Sequence, residues 1–141
     1  MNLWAIIPLA SCIAFIVIFI LVIQQAKTSI DKIFAFFLFA SGAWSFCAFM
    51  LTYNVSAPES TIKFWQSLVV PSIPFVVIAY YHFIRTYNNK SAGLGVYLGY
   101  VVVLTILGFG LTGNIIKSAS FDRGFLVYDM RPWNFVIASI V

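Results

Sequence analysis

Long apolar runs separated by short polar connections dominate this chain. Two of the runs, residues 33–53 and 64–84, each contain 21 residues and no charged side chain. The connection between them, residues 54–63, is long enough only for a turn. Because a helix of this length crosses roughly 30 Å of hydrocarbon, the pattern predicts a transmembrane helical hairpin.

The remaining runs extend the same plan. Residues 4–23 and 92–111 predict two further spans, whereas the nine residues 133–141 would reach only about 14 Å as a helix. The runs are apolar without alternation, which indicates helices and not the strands of a barrel. We therefore expect an all-α bundle with four full spans and the start of a fifth, a single membrane region that is a fragment of a longer chain.

Local signals predict where two of the helices begin. Thr28 and Asp31 have the spacing of a capping box before the second span. Ser56 and Glu59 repeat that spacing around Pro58, which predicts a third helix that begins near residue 57.

The later connections contain turn signals. Two asparagines at 88–89 indicate a turn, and Ser91 is in position to cap the fourth helix. Within residues 112–131, a turn centred on 122–124 lies between β-branched and aromatic residues, a pattern typical of a short β-hairpin.

Composition supports a membrane location. The chain is 62% hydrophobic and 9% charged, compared with about 25% charged residues in soluble domains. Its net charge of +4 comes from lysines and arginines that lie in the connections, where they face lipid headgroups. This distribution makes the lipid bilayer the expected partner and argues against nucleic acid.

Orientation depends on the first connection, because the eight lysines and arginines are divided equally, with four on each side. Lys27 and Lys32 follow the first span, whereas no basic side chain precedes it. The first helix usually dominates topology, which predicts an N-terminus outside the cell. A belt of aromatic residues would then lie at the outer interface: Trp4, Tyr53, Trp65 and Trp133.

Few side chains offer chemistry. Residues 33–53 and 64–84 contain no Asp, Glu, Lys or Arg, which disfavours a pump or an ion-coupled transporter. His82 has no neighbouring ligand for a metal site and is expected at the membrane interface. Cys12 and Cys47 are expected to be small buried residues, with a single interhelix disulfide as the alternative. We expect no cofactor, no metal and no catalytic residue.

Pro71 and Pro74 interrupt the hydrogen bonding of the third span. The resulting kink either shapes the packing or opens a pocket lined by Trp44, Gln66 and Tyr53, and it makes this stretch a candidate hinge.

Small residues predict contacts between helices. Gly95 and Gly99 have the G-x-x-x-G spacing that lets helices approach closely, and Ser41 and Ser45 form a small polar face on the second span.

Several stretches resemble the N-terminal seven-helix membrane region of bacterial sensor histidine kinases and of some diguanylate cyclases. The resemblance covers most of the chain and is carried by diffuse features, which are Gly42-Ala43-Trp44, Phe64-Trp65, Pro71 with Pro74, residues 81–87, Thr112-Gly113-Asn114 and Pro132-Trp133.

The resemblance implies a sensory input module in the bacterial cytoplasmic membrane. Such a module detects an external or membrane-borne signal and relays it to a cytoplasmic output domain, with dimerisation through the full-length protein. Any kinase or cyclase activity would belong to that separate domain. The alternatives are a helical membrane subunit without signalling output and part of a small-molecule transporter; a membrane enzyme that acts on lipid is disfavoured by the lack of polar catalytic groups.

Overall fold

The computed structural model describes residues 3–113, 116–122 and 125–130. After a short 3₁₀ turn, Leu3–Ala5, the helices are α1 (Ile6–Gln25), α2 (Ser29–Tyr53), α3 (Glu59–Tyr87) and α4 (Gly93–Leu111), and the strands are β1 (Ile116–Asp122) and β2 (Phe125–Met130). All four α-helices are long and apolar enough to cross a membrane. The predicted fifth span, its Pro132-Trp133 entry and the turn residues 123–124 lie outside the described residues.

Two of the predicted local signals are confirmed. The Thr28 hydroxyl accepts a hydrogen bond from the Asp31 amide at 3.2 Å, and the Asp31 carboxylate accepts one from the Thr28 amide at 2.8 Å, which completes the capping box of α2. At the end of α3, Asn89 adopts a positive φ of 56°. The Lys90 and Asn89 amides donate to the carbonyls of Arg85 and Thr86, which is the hydrogen-bond pattern of a Schellman motif.

The two other capping predictions are wrong. Pro58 disfavours helical geometry at the residue before it, so α3 begins at Glu59 and the Ser56 side chain makes no cap. Glu59 instead forms an ion pair with Lys63 at 3.0 Å. At α4 the N-cap is Ala92 without a side-chain hydrogen bond. The chain enters this helix through Gly93, which has a φ of 70°. Glycine adopts this positive φ without the steric cost that other residues bear.

Each helix packs against the next one along the chain, and aromatic pairs mark the contacts. Phe19 meets Phe39 between α1 and α2 at a centroid distance of 6.2 Å. Phe36 of α2 lies 5.4 Å from Phe75 of α3 and 5.9 Å from Tyr100 of α4. Many large apolar side chains on the outer faces remain exposed, as expected for helices that contact lipid or further helices.

The two strands confirm the predicted hairpin. They pair antiparallel, with Asp122 opposite Phe125, and β1 packs against α3. Ile116 of β1 joins Leu51 of α2 and Ile62 of α3 in a buried cluster. We call this side of the bundle, with connections 54–58 and 112–130, the hairpin end. The opposite side, with connections 26–28 and 88–92, is the basic end.

Candidate functional site in the proline segment

The proline segment, residues 66–74 of α3, combines a buried polar side chain with two breaks in helical hydrogen bonding. α3 is continuous through it, although both prolines lie inside the helix. An α-helical amide donates to the carbonyl four residues earlier, and proline has no amide hydrogen. The carbonyls of Ser67 and Val70 therefore lose their helical donors.

The Ser67 carbonyl faces α4 at Gly110. A Cβ placed on Gly110 would lie 2.8 Å from the Ser67 oxygen, which is too close for any side chain. Glycine is thus required at position 110 for the two backbones to meet here. A weak Cα–H contact from Gly110 is the interaction this geometry offers to the freed oxygen.

Gln66 contributes a second unsatisfied acceptor. The residue is 4% exposed, and its Oε1 has no hydrogen-bond partner in the described part of the chain. Ile62 and Val69 lie four residues before and three residues after it, on the same face of α3. Ile62 belongs to the buried cluster at the hairpin end, and Val69 packs against that cluster. Gln66 therefore shares a face of α3 with apolar residues of the hairpin end.

The Ser72 hydroxyl finds its hydrogen-bond acceptor within the proline segment. It donates to the Val69 carbonyl at 2.7 Å. Serine back-bonding of this kind often accompanies a local bend in a helix. Three groups nevertheless remain without a helical or side-chain donor, the Gln66 Oε1 and the carbonyls of Ser67 and Val70. The segment can accept hydrogen bonds from a hydroxyl, an ammonium or an amide, and it contains no general base that would activate its two serine hydroxyls.

The structure brings together only part of the predicted pocket. Pro71 and Gln66 are buried, and Pro74 is half-buried. Trp44 is 40% exposed and Tyr53 is 57% exposed. Both aromatic side chains therefore lie on outward faces of α2, because their helical phase differs from that of the residues that meet α3. An aromatic lining of the proline segment by Trp44 and Tyr53 is not what the structure shows.

Of the predicted packing residues, some lie at contacts between helices and one does not. Ser41 and Ser45 are buried, and the Ser41 hydroxyl donates to the Phe37 carbonyl at 3.0 Å. A Cβ on Gly99 would collide with the Ile78 side chain, whereas a Cβ on Gly95 would meet nothing within 4 Å.

The spacing of the α4 seam explains why Gly95 lies outside it. Val96, Val103 and Gly110 are all buried and seven residues apart, with Gly99 between the first two. This alternation of three and four residues differs from the four-residue spacing of G-x-x-x-G. Gly95 precedes Val96 by one residue and lies on the flank of the seam.

Two contacts of functional interest were not predicted. The Gly110 approach could have been sought from Pro71, since a proline predicts a freed carbonyl four residues earlier. The other contact is a hydrogen bond of 3.1 Å between the His82 Nδ1 and the Tyr100 hydroxyl, between α3 and α4 near the basic end.

The remaining candidate ligands do not cluster. Among the described residues there is no group of three or more His, Cys, Asp or Glu that could hold a metal ion. Cys12 and Cys47 are both free thiols in this structure, the first buried and the second half-buried.

Comparison with known proteins adds no relative: no family model, no curated protein and no solved structure matches the chain. The resemblance to the histidine-kinase sensor region stays a prediction from the sequence features quoted above.

Proposed function

We propose that this chain is the membrane-embedded input module of a bacterial signalling protein. In this proposal an external or membrane-borne signal changes the packing of α3, and the change passes to a cytoplasmic output domain. The observation that carries the proposal is the proline segment. There a single continuous helix has two missing hydrogen bonds and a buried amide oxygen that has no hydrogen-bond partner in the described part of the chain.

A signal-responsive helix needs two arrangements that differ by only a few kcal/mol, so that a ligand with different affinities can shift the balance. Missing hydrogen bonds at Ser67 and Val70 reduce the cost of changing the helix locally. A donor group that reached the Gln66 Oε1 or the Ser67 carbonyl would stabilise one arrangement over the other. The same helix continues to Tyr87 at the basic end, so a change in its axis would move both ends.

In this proposal the N-terminus and the hairpin end are outside the cell, and the basic end faces the cytoplasm. Lys27, Lys32, Arg85 and Lys90 lie in or beside the two basic-end connections, and the two lysines that follow the first helix favour this orientation. Sensing and relay by this module involve no cofactor and no catalytic residue in the chain itself.

Substitution of both prolines tests the proposal. Pro71→Ala with Pro74→Ala restores two backbone donors, and at about 1 kcal/mol each they would shift a two-state ratio by roughly thirtyfold. In membranes from cells that express the complete natural gene, we expect the basal phosphorylation or cyclic-nucleotide output to be fixed high or low. Expression and insertion should be unchanged.

Ile73→Ala is the matched control, since Ile73 is exposed on the same turn. It should leave the output at the wild-type level. Equal output from the double variant, Ile73→Ala and the wild type would refute the hinge. A membrane preparation with no nucleotide-dependent output would favour the alternatives, a non-signalling subunit or part of a small-molecule transporter.

A further inference from the structure

An open groove of about 350 Å³ lies near the basic end, bordered by α2, α3 and α4. Its walls are Lys32, Ile33 and Phe36 of α2, His82 of α3 and Tyr100 of α4. The hydrogen bond between His82 and Tyr100 closes one side and joins α3 to α4 there. The groove is thus a built recess between three helices and not a surface of one helix.

The groove has one charged wall. The Lys32 side chain is exposed and has no carboxylate partner in the described part of the chain, where the two ion pairs, Glu59–Lys63 and Lys117–Asp129, both lie at the hairpin end. The nearby carboxylate, Asp31, accepts hydrogen bonds from the Lys27 and Thr28 amides. Lys32 is therefore available to a negative ligand.

The position of the groove suits an amphiphile. Lys32 is in the first turn of α2, and Phe36 lies one turn deeper on the same face, about 6 Å along the helix axis. Tyr100 is seven residues into α4, about 10 Å from its start. The charge thus lies at headgroup depth, and the apolar walls continue toward the hydrocarbon.

We propose that this groove binds one anionic phospholipid, with the phosphate at Lys32 and an acyl chain against Ile33 and Phe36. Charge complementarity selects an anionic headgroup, and the apolar walls require a chain that free phosphate lacks. The proposal is independent of signalling, because bound lipid would hold α2 against α4 whether or not α3 changes shape.

Native mass spectrometry of the purified full-length protein tests the proposal with phosphatidylglycerol, phosphatidylcholine of the same chains, and inorganic phosphate. We expect one phosphatidylglycerol to bind more tightly than phosphatidylcholine, and millimolar phosphate not to displace it. Lys32→Gln should weaken phosphatidylglycerol binding about fivefold, as expected for one lysine near anionic lipid. Lys27→Gln and Lys90→Gln are the controls at the same end and should change binding by less than twofold.

A second variant tests the acyl chain separately from the charge. Ile33→Trp fills the groove while Lys32 remains, and it should remove the tight phosphatidylglycerol site without lowering thermal stability in phosphatidylcholine. Equal losses from all three lysine variants would mean diffuse surface attraction and would overturn the proposal. So would displacement by inorganic phosphate, or unchanged binding in Ile33→Trp.

Discussion

At the hairpin end, apolar side chains from α2, α3 and β1 pack together in a buried cluster. The two ion pairs of the described residues lie at the same end. At the basic end, local hydrogen bonds complete the helix ends instead: the Thr28–Asp31 capping box, the turn at Asn89, and the Arg85 guanidinium, which donates to the Ser91 carbonyl at 2.9 Å and the Tyr81 hydroxyl at 3.2 Å.

The difference changes what polar groups can do at each end. Covered groups at the hairpin end lose water, so an unpaired acceptor such as the Gln66 Oε1 stays unsatisfied and keeps its capacity to bind a donor. Groups at the basic end are paired or exposed, and what remains there is uncompensated positive charge. The hairpin end is therefore suited to a hydrogen-bonding signal, and the basic end to anionic lipid.

The largest expected effect comes from a labelling experiment that determines which end of the bundle faces outward. Ser56→Cys and Asn88→Cys, each in a Cys12→Ala and Cys47→Ala background, place one thiol at an exposed position of each end. A membrane-impermeant maleimide added to intact cells should label Ser56→Cys and leave Asn88→Cys unmodified. Labelling of Asn88→Cys alone would invert the orientation and with it the assignment of the signal side.

The backbone contact between Gly110 and Ser67 gives the largest expected change in stability. Gly110→Ala forces the Ser67 backbone to move and should cost about 1–3 kcal/mol, as overpacking does. Gly108→Ala, at an open position of the same helix, should be neutral or stabilise by up to about 1 kcal/mol.

Gly99 and Gly95 form a second pair for this comparison. Gly99→Ala should cost less than Gly110→Ala because the Ile78 side chain can rotate, and Gly95→Ala should be neutral. The measurement is unfolding in detergent micelles. If the four alanine variants were equally stable, the α3–α4 contact would not depend on glycine.

The sequence predicted features that depend on the chain alone. Charge-free runs predicted the four helices because hydrocarbon excludes charge, and Thr28 with Asp31 predicted a cap that closes within four residues. Features that depend on how a helix is rotated against its neighbour were predicted only in part. Ser41, Ser45 and Gly99 lie at packed positions, whereas Trp44 and Gly95 lie on outward faces. The burial of Ile62 beneath Ile116 also depends on a strand that begins more than 50 residues later in the chain.

Gln66 provides the most selective test of the hairpin end, and its substitution should change stability only slightly. Gln66→Leu removes a buried acceptor that has no partner among the described residues and substitutes an apolar side chain of similar volume. The free energy of unfolding should therefore be unchanged or higher by roughly 1 kcal/mol. If Gln66 binds the signal, the same variant should lose its response, since stability and function often diverge at binding residues. The measurements are unfolding in detergent and output in membranes. A loss of stability would mean that Gln66 has a structural hydrogen-bond partner, and a stable variant with normal output would remove Gln66 from the site.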